Sequence, residues 1–179
     1  MKRRRITFPL FLIGCIAWLF AASCSDETTS TYSTKYRVMC GFAIASYAEL
    51  QTTINNPGQF ATIRKSGSKI LMQTLTQSHE YNMDALSAEF QFGLGGLIVG
   101  TDSWINLRAY DLACPNCDRN DRRLTLQENG EAKCGKCGIV YDLNNDGVIL
   151  DKGNGLHDKP RRLYRYRITP TGTHIHISN

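Results

Sequence analysis

The chain predicts an all-β domain, a sandwich or small barrel that carries a two-hairpin metal-binding subdomain. Three observations lead there. Short runs of β-branched, aromatic and large apolar residues recur between Gly, Asn, Asp and Pro turn signals. In the closing ribbon Ile175 and Ile177 alternate with His174 and His176, the period of a half-buried strand. Finally, Cys114, Cys117, Cys134 and Cys137 form a C-x2-C-x16-C-x2-C pattern, two tight knuckles separated by a hairpin-sized insert.

The first residues read as a leader rather than as part of the fold. Lys2, Arg3, Arg4 and Arg5 form a cationic start, followed by an apolar run from Ile6 to Ala22 that Pro9 interrupts. An uncleaved single-span anchor is the alternative reading. Residues 1–23 are assigned as a signal peptide, 24–34 as a tether and 35–179 as one domain, with the metal-binding subdomain at about 110–143. Four of the twenty-one basic residues lie in the leader and all sixteen acidic residues follow it, so the exported part has a net charge of +1. That near-neutral balance, outside the cytoplasm, argues against a nucleic-acid partner despite the ribbon-like cysteine spacing.

Strands are expected at Tyr36–Ala45, Phe60–Arg64 and Ile70–Thr74, separated by the turn signals Asn55-Asn56-Pro57-Gly58 and Ser66-Gly67-Ser68. Ser46–Ile54 reads as a short helix. Ser46 and Glu49 have capping-box spacing, and Tyr47, Leu50 and Ile54 share one face. Thr74–Glu89 alternates poorly and reads as a loop. Gly93-Leu94-Gly95-Gly96 lacks the spacing of a dinucleotide fingerprint and reads as a bend before a strand at Leu97–Val99.

A strand at Ile105–Asp111 leads into the first knuckle. Leu124–Gln127 and Glu131–Lys133 flank Asn129-Gly130, a two-residue hairpin signal. Ile139–Leu143 and Val148–Leu150 flank Asn144-Asn145-Asp146-Gly147, and Arg162–Thr169 joins Thr173–Ile177 through Pro170-Thr171-Gly172. The cysteines therefore fall at two adjacent hairpin tips.

Turn residues inside or after the knuckles aim both sulfurs of each pair inward, and four thiolates at the corners of one tetrahedron suit zinc or a single iron. Lys133, Lys136, Arg119, Arg122 and Arg123 lie close in sequence, where cations would offset the charge of a tetrathiolate. Two disulfides, or a redox dithiol at Cys114-Pro115-Asn116-Cys117, are alternatives. The polar run after Cys117 lacks the apolar period of the helix that such a dithiol opens.

Other constellations have simpler explanations. Asp142-x-Asn144-x-Asp146-Gly147 copies half of a calcium loop, but position twelve is Gly153, and the segment reads as a hairpin turn. His157 reads as an exposed loop residue, and His174 and His176 as one polar strand face. The arginines at 161, 162, 165 and 167 read as a solvated edge, and Cys40 as a buried structural thiol. No Ser/His/Asp or paired-carboxylate arrangement stands out, so no catalytic residue is assigned.

Two segments carry family resemblances. Leu19-Phe20-Ala21-Ala22-Ser23-Cys24, followed by Ser25, Asp26 and Glu27, resembles the lipobox and acidic export tag of surface lipoproteins of the Bacteroides group. This implies lipidation at Cys24, a membrane partner through that lipid, and an outer-membrane or cell-surface location. From Leu97 to Asn179, Ala109-Tyr110-Asp111-Leu112-Ala113-Cys114-Pro115, Cys134-Gly135-Lys136-Cys137-Gly138-Ile139-Val140-Tyr141-Asp142-Leu143, Gly147 and Leu163-Tyr164-Arg165-Tyr166 resemble a Rieske domain. That family holds a [2Fe-2S] cluster with two cysteines and two histidines. Here Asn116 stands where the first histidine would be, with Cys117 one residue on, and Cys137 replaces the second. The compact C-x2-C pairs point first to one structural Zn2+, then to a mononuclear rubredoxin-like iron, then to an all-cysteine [2Fe-2S] cluster. The corresponding roles are a metal-stapled binding lipoprotein or an electron carrier with a protein redox partner.

Overall fold

The computed structural model describes residues 32–179. The expected signal peptide and the lipidation site Cys24 lie outside the described residues. Thirteen strands run in the order β1 (Val38–Ala43), β2 (Gln59–Ser66), β3 (Lys69–Gln73), β4 (Ser78–Asn82), β5 (Gln91–Phe92), β6 (Leu97–Thr101) and β7 (Leu107–Asp111). They continue as β8 (Leu124–Gln127), β9 (Glu131–Cys134), β10 (Val140–Asp142), β11 (Val148–Asp151), β12 (Arg165–Thr171) and β13 (His174–Ser178). Two short helices, α1 (Ala48–Asn55) and α2 (Ala85–Ala88), interrupt them. No helix among the described residues is long and apolar enough to cross a membrane.

All pairings are antiparallel, and they build two sheets. Nine strands lie in the order β4-β3-β2-β6-β7-β12-β13-β1-β5, and four in the order β11-β10-β9-β8. The all-β class and the separate two-hairpin subdomain follow the sequence expectation.

Alternation within the large sheet sorts its side chains between two cores. Leu97 and Val99 of β6 and Ala109 of β7 face one core; Ile98 and Tyr110 face the other. The first core also takes Val38 and Phe42 from β1, Ile175 and Ile177 from β13, Met72 from β3 and Leu50 from α1. Strands far apart in sheet order thus share one interior, so the sheet curls on itself. The second core lies between the outer face of β2-β6-β7 and the small sheet, and contains Tyr110, Leu124, Ile139, Tyr141, Leu143 and Leu163 with three of the cysteines. Each fully buried aliphatic or aromatic side chain contributes about 1.5–3 kcal/mol. The first core therefore stands without any help from Cys114, Cys117, Cys134 and Cys137.

The structure departs from several sequence expectations. The segment read as a loop, Thr74–Glu89, contains β4 and α2. β4 is an edge strand exposed along nearly its whole length, which leaves no apolar alternation to detect. The helix at 46–54 forms one to two residues later, and its expected capping box is absent: Tyr47 is the N-cap and makes no side-chain cap bond. Glu49 turns inward instead, with His79 Nδ1 2.5 Å from Oε1 and the Tyr81 hydroxyl donating to Oε2 at 2.7 Å. A box does form at α2, where Asp84 accepts from the Ser87 N–H at 2.7 Å and the Ser87 hydroxyl accepts from the Asp84 N–H.

The strand expected from Ile105 begins at Leu107. Ile105 sits in a turn with φ 68°, pinned because the buried Asp102 carboxylate accepts from the Trp104 and Asn106 N–H groups. The loop at Asn129-Gly130 has three residues rather than two, since Gln127 pairs with Glu131. Pro170 lies inside β12 opposite Ile175, and the connecting loop is Gly172-Thr173. Its missing N–H costs nothing, because β7 bonds β12 only at Arg165 and Tyr166.

Candidate metal centre

The two knuckles are built alike. In the first, which follows β7, the Cys114 carbonyl accepts from the Asp118 N–H at 2.9 Å. In the second, which ends β9, the Cys134 carbonyl accepts from the Gly138 N–H at 2.9 Å. The closing residue is left-handed in both, Asp118 at φ 53° and Gly138 at φ 74°. Glycine adopts that conformation freely, and Asp is among the few other residues that tolerate it. Gly138 was legible in the sequence; Asp118 in the same role was not.

The four expected cysteines come together, with all four sulfurs within 4.8 Å of one another. Two pairs cross between knuckles at short range, Cys114–Cys137 at 3.7 Å and Cys117–Cys134 at 3.8 Å. All four are free thiols, which removes the disulfide alternative. Cys114 and Cys137 are 0 % exposed and Cys134 1 %, while Cys117 is half-buried. A metal at four thiolates with bonds of about 2.3 Å needs sulfurs about 3.8 Å apart, so this group can hold one ion.

Electrostatics within the group are uneven. Burial works against the Cys134 thiolate, but the N–H groups of Cys137 and Lys136 point at its sulfur and hold its pKa below the ordinary thiol value. Burial pushes the Cys137 thiol up to about 11, and burial and the neighbouring cysteines raise Cys117 as well. Four converging thiols resist ionising together, and a divalent cation relieves that conflict.

Four sets of supporting contacts fix the knuckles. The Asn116 amide donates to the Tyr141 hydroxyl oxygen at 2.6 Å and to the Arg161 carbonyl at 3.0 Å, and accepts from the Arg161 N–H at 2.6 Å. The Tyr141 hydroxyl proton is then free to point at Cys114 Sγ, 3.4 Å away. Asp111, fully buried, accepts from the Leu94, Gly95 and Ala113 N–H groups and the Tyr166 hydroxyl at 2.7–3.0 Å, which locks the glycine bend to the strand that delivers Cys114. Burial pushes its carboxyl above the ordinary carboxylate value, and those four donors oppose the shift. Asp118 is held by Lys35 at 2.5 Å and by the hydroxyls of Tyr36 and Tyr164 at 2.8 and 3.1 Å. A third loop closes on the second knuckle, with the Asn154 N–H donating to the Cys137 carbonyl at 3.1 Å. At Gly153 a Cβ would overlap that carbonyl, so only glycine fits.

The cations expected around the thiolates are largely engaged elsewhere. Arg119 and Arg122 pair with Asp121, and Arg123 donates to the Gly95 carbonyl at 2.8 Å. The half calcium loop does not converge. Asp142 accepts from the Asn144 N–H, Asn144 bonds Ser103 and Asn129, and Asp146 binds Arg108 and Arg165. Arg165, expected on a solvated edge, is thus paired. The four cysteines form the one His/Cys/Asp/Glu group able to hold a metal among the described residues; His157, His174 and His176 belong to none. Cys40 is a buried thiol that donates to the Gln91 carbonyl at 3.0 Å, and burial pushes its pKa up to about 12.

No family model matches the chain, and neither a curated protein nor a solved structure does. Sequence reasoning found the four cysteines and missed Tyr141, Asn116 as a clamp, Asp118 and Gly153. Of these, only the glycine among turn-formers in Asp151-Lys152-Gly153-Asn154 offered a signal.

Proposed function

We propose that this protein is an exported, lipid-anchored domain in which one zinc ion, held by Cys114, Cys117, Cys134 and Cys137, staples the small sheet. The compactness of the sulfur quartet is the observation that carries the reading. Two of its separations, 3.7 and 3.8 Å, are close to the edge of a zinc tetrathiolate tetrahedron, about 3.8 Å. A [2Fe-2S] cluster would divide the thiolates between two irons bridged by sulfide, and a quartet this tight leaves little room for that. Four protein ligands leave no open coordination position, so the ion would supply structure and not Lewis-acid catalysis. Cys24 would carry the lipid and hold the domain at the outer membrane or cell surface. The Rieske likeness remains part of this reading, supported by the placement of both cysteine loops on adjacent turns beside a larger β fold.

A second reading keeps the same cysteines around a single iron, in an electron carrier with a protein redox partner. The half-exposure of Cys117 favours it, since that sulfur would carry electrons to the surface. Elemental analysis and colour separate the two. The zinc reading expects a colourless protein with about one zinc per chain. Stoichiometric iron with visible absorbance overturns it in favour of the carrier. Cys137→Ser should lose the metal and lower the melting temperature; unchanged metal content and melting would refute the whole site. For the anchor, Cys24→Ser should abolish incorporation of labelled fatty acid and release the protein from membranes.

A further inference from the structure

The four sulfurs are not equivalent. Cys114 and Cys137, 3.7 Å apart, form an inner pair, and both residues are 0 % exposed. The Tyr141 hydroxyl faces Cys114 Sγ at 3.4 Å, and the turn at Gly153 and Asn154 closes on the backbone of Cys137. Cys117 and Cys134, 3.8 Å apart, form an outer pair. Cys117 is the most exposed cysteine of the quartet. Cys134 borders a 200 Å3 cavity whose other walls are Asp121, Arg122, Arg123, Gly135 and Lys136. A water molecule takes about 30 Å3 of liquid, so that cavity admits small polar molecules.

The outer pair also spans the two knuckles. A disulfide within one knuckle would leave the first loop and the β9–β10 connection unlinked, whereas a Cys117–Cys134 bond keeps them joined. A bound divalent metal holds its cysteine ligands as thiolates, the nucleophilic form. Peroxide chemistry needs one thiolate that solvent reaches and a second sulfur beside it. The first becomes a sulfenic acid, and the second resolves it to a disulfide. Cys117 and Cys134 meet both conditions. The inner pair fails the first.

We propose that the quartet is a peroxide-sensitive centre, in which Cys117 and Cys134 are oxidised to a disulfide and the metal is released. The identity of the released ion rests on the zinc reading; the pairing of the sulfurs does not. The Cys117 thiolate attacks one oxygen of hydrogen peroxide, the O–O bond breaks and hydroxide leaves. The Cys134 thiolate then attacks the sulfenic sulfur, the S–O bond breaks and a second hydroxide leaves. Two thiolates lose two electrons, and one peroxide gains them. The sulfurs close from 3.8 Å to about 2 Å. Cys114 and Cys137 alone are half of a tetrahedral zinc set, so the ion departs. The knuckles stay joined by the new bond, and the staple changes from metallic to covalent. An exported domain would meet such oxidants in a compartment where disulfides persist.

The test uses the full chain in detergent, purified with a reductant that is then removed. Zinc is counted first, and its absence at that point refutes the zinc reading. The disulfide map judges the present proposal separately, because the sulfur positions and not the ion set the pairing. One equivalent of hydrogen peroxide is added, free thiols are alkylated, and disulfides are mapped by mass spectrometry while a zinc-binding dye reports release. The first disulfide should join Cys117 to Cys134, with one zinc lost for each such bond and Cys40 still reduced. A thiol reductant with added zinc should restore the starting state. Amides of β8–β11 should stay protected from hydrogen exchange in the oxidised, metal-free protein. Any other first pairing overturns the proposal, as does a protein whose four thiols and zinc survive excess peroxide. Loss of β8–β11 protection despite a Cys117–Cys134 bond would overturn the covalent staple.

Discussion

Asn116, inside the first knuckle, acts as a clamp. Its amide grips the Arg161 backbone and orients the Tyr141 hydroxyl toward Cys114 Sγ. Tyr141→Phe removes one buried hydrogen bond and so should cost about 1 kcal/mol. Metal stoichiometry should be unchanged, but a chelator should strip the ion faster, as a competition assay would show. Asp102 makes a different residue-scale prediction. It is fully buried; burial opposes its charge, yet the Asn106 N–H and the Arg108 guanidinium hold its pKa below the ordinary carboxylate value. A folded pKa lower than the unfolded one means that its stabilisation is complete above about pH 4 and fades as pH falls through the depressed value. Asp102→Asn should cost about 2–3 kcal/mol at neutral pH and flatten that acid limb in denaturant titrations. An unchanged acid limb would show that Asp102 does not control it.

Among the elements, α1 and β4 show how far the sequence could be read and where it stopped. The apolar face of Tyr47, Leu50 and Ile54 was legible because it follows the helical period, and all three pack on the first core. Glu49 was misread as a capping residue because local spacing cannot reveal a partner thirty positions away. Its carboxylate is fully buried against His79 and Tyr81 of β4, so two polar contacts add to the β3 ladder in holding the edge strand that the sequence concealed. Glu49→Ala should cost about 2–3 kcal/mol, because the contact is charge-assisted and buried. Native-state hydrogen exchange should show β4 amides losing protection before those of β6. Equal loss in both strands would mean that Glu49 supports the whole sheet. The cysteine site was legible for a related reason: each knuckle is local, four residues with a turn inside. Its supports at Asp118, Tyr141 and Gly153 act through contacts that no local spacing encodes.

At the scale of the whole molecule, two cores share the β2-β6-β7 layer, and only the outer one contains cysteines of the candidate metal site. The small sheet is four short strands with a single buried face, so a staple adds to a small store of burial. Its burial comes from one side, through residues such as Leu124, Ile139 and Tyr141, and its β9–β10 connection brings Cys134 and Cys137 against the loop bearing Cys114 and Cys117. Removing the metal leaves four crowded thiols in that outer core and takes away the link between the two knuckles. The large sheet loses nothing from its own interior. Chelation should therefore give a partly folded protein rather than an unfolded one. Amides of β8–β11 should exchange rapidly while those of β2, β6 and β13 stay protected, and readdition of zinc should restore the first set. Loss of protection throughout both sheets would show instead that the two cores fold as one cooperative unit, with the ion holding the entire domain together.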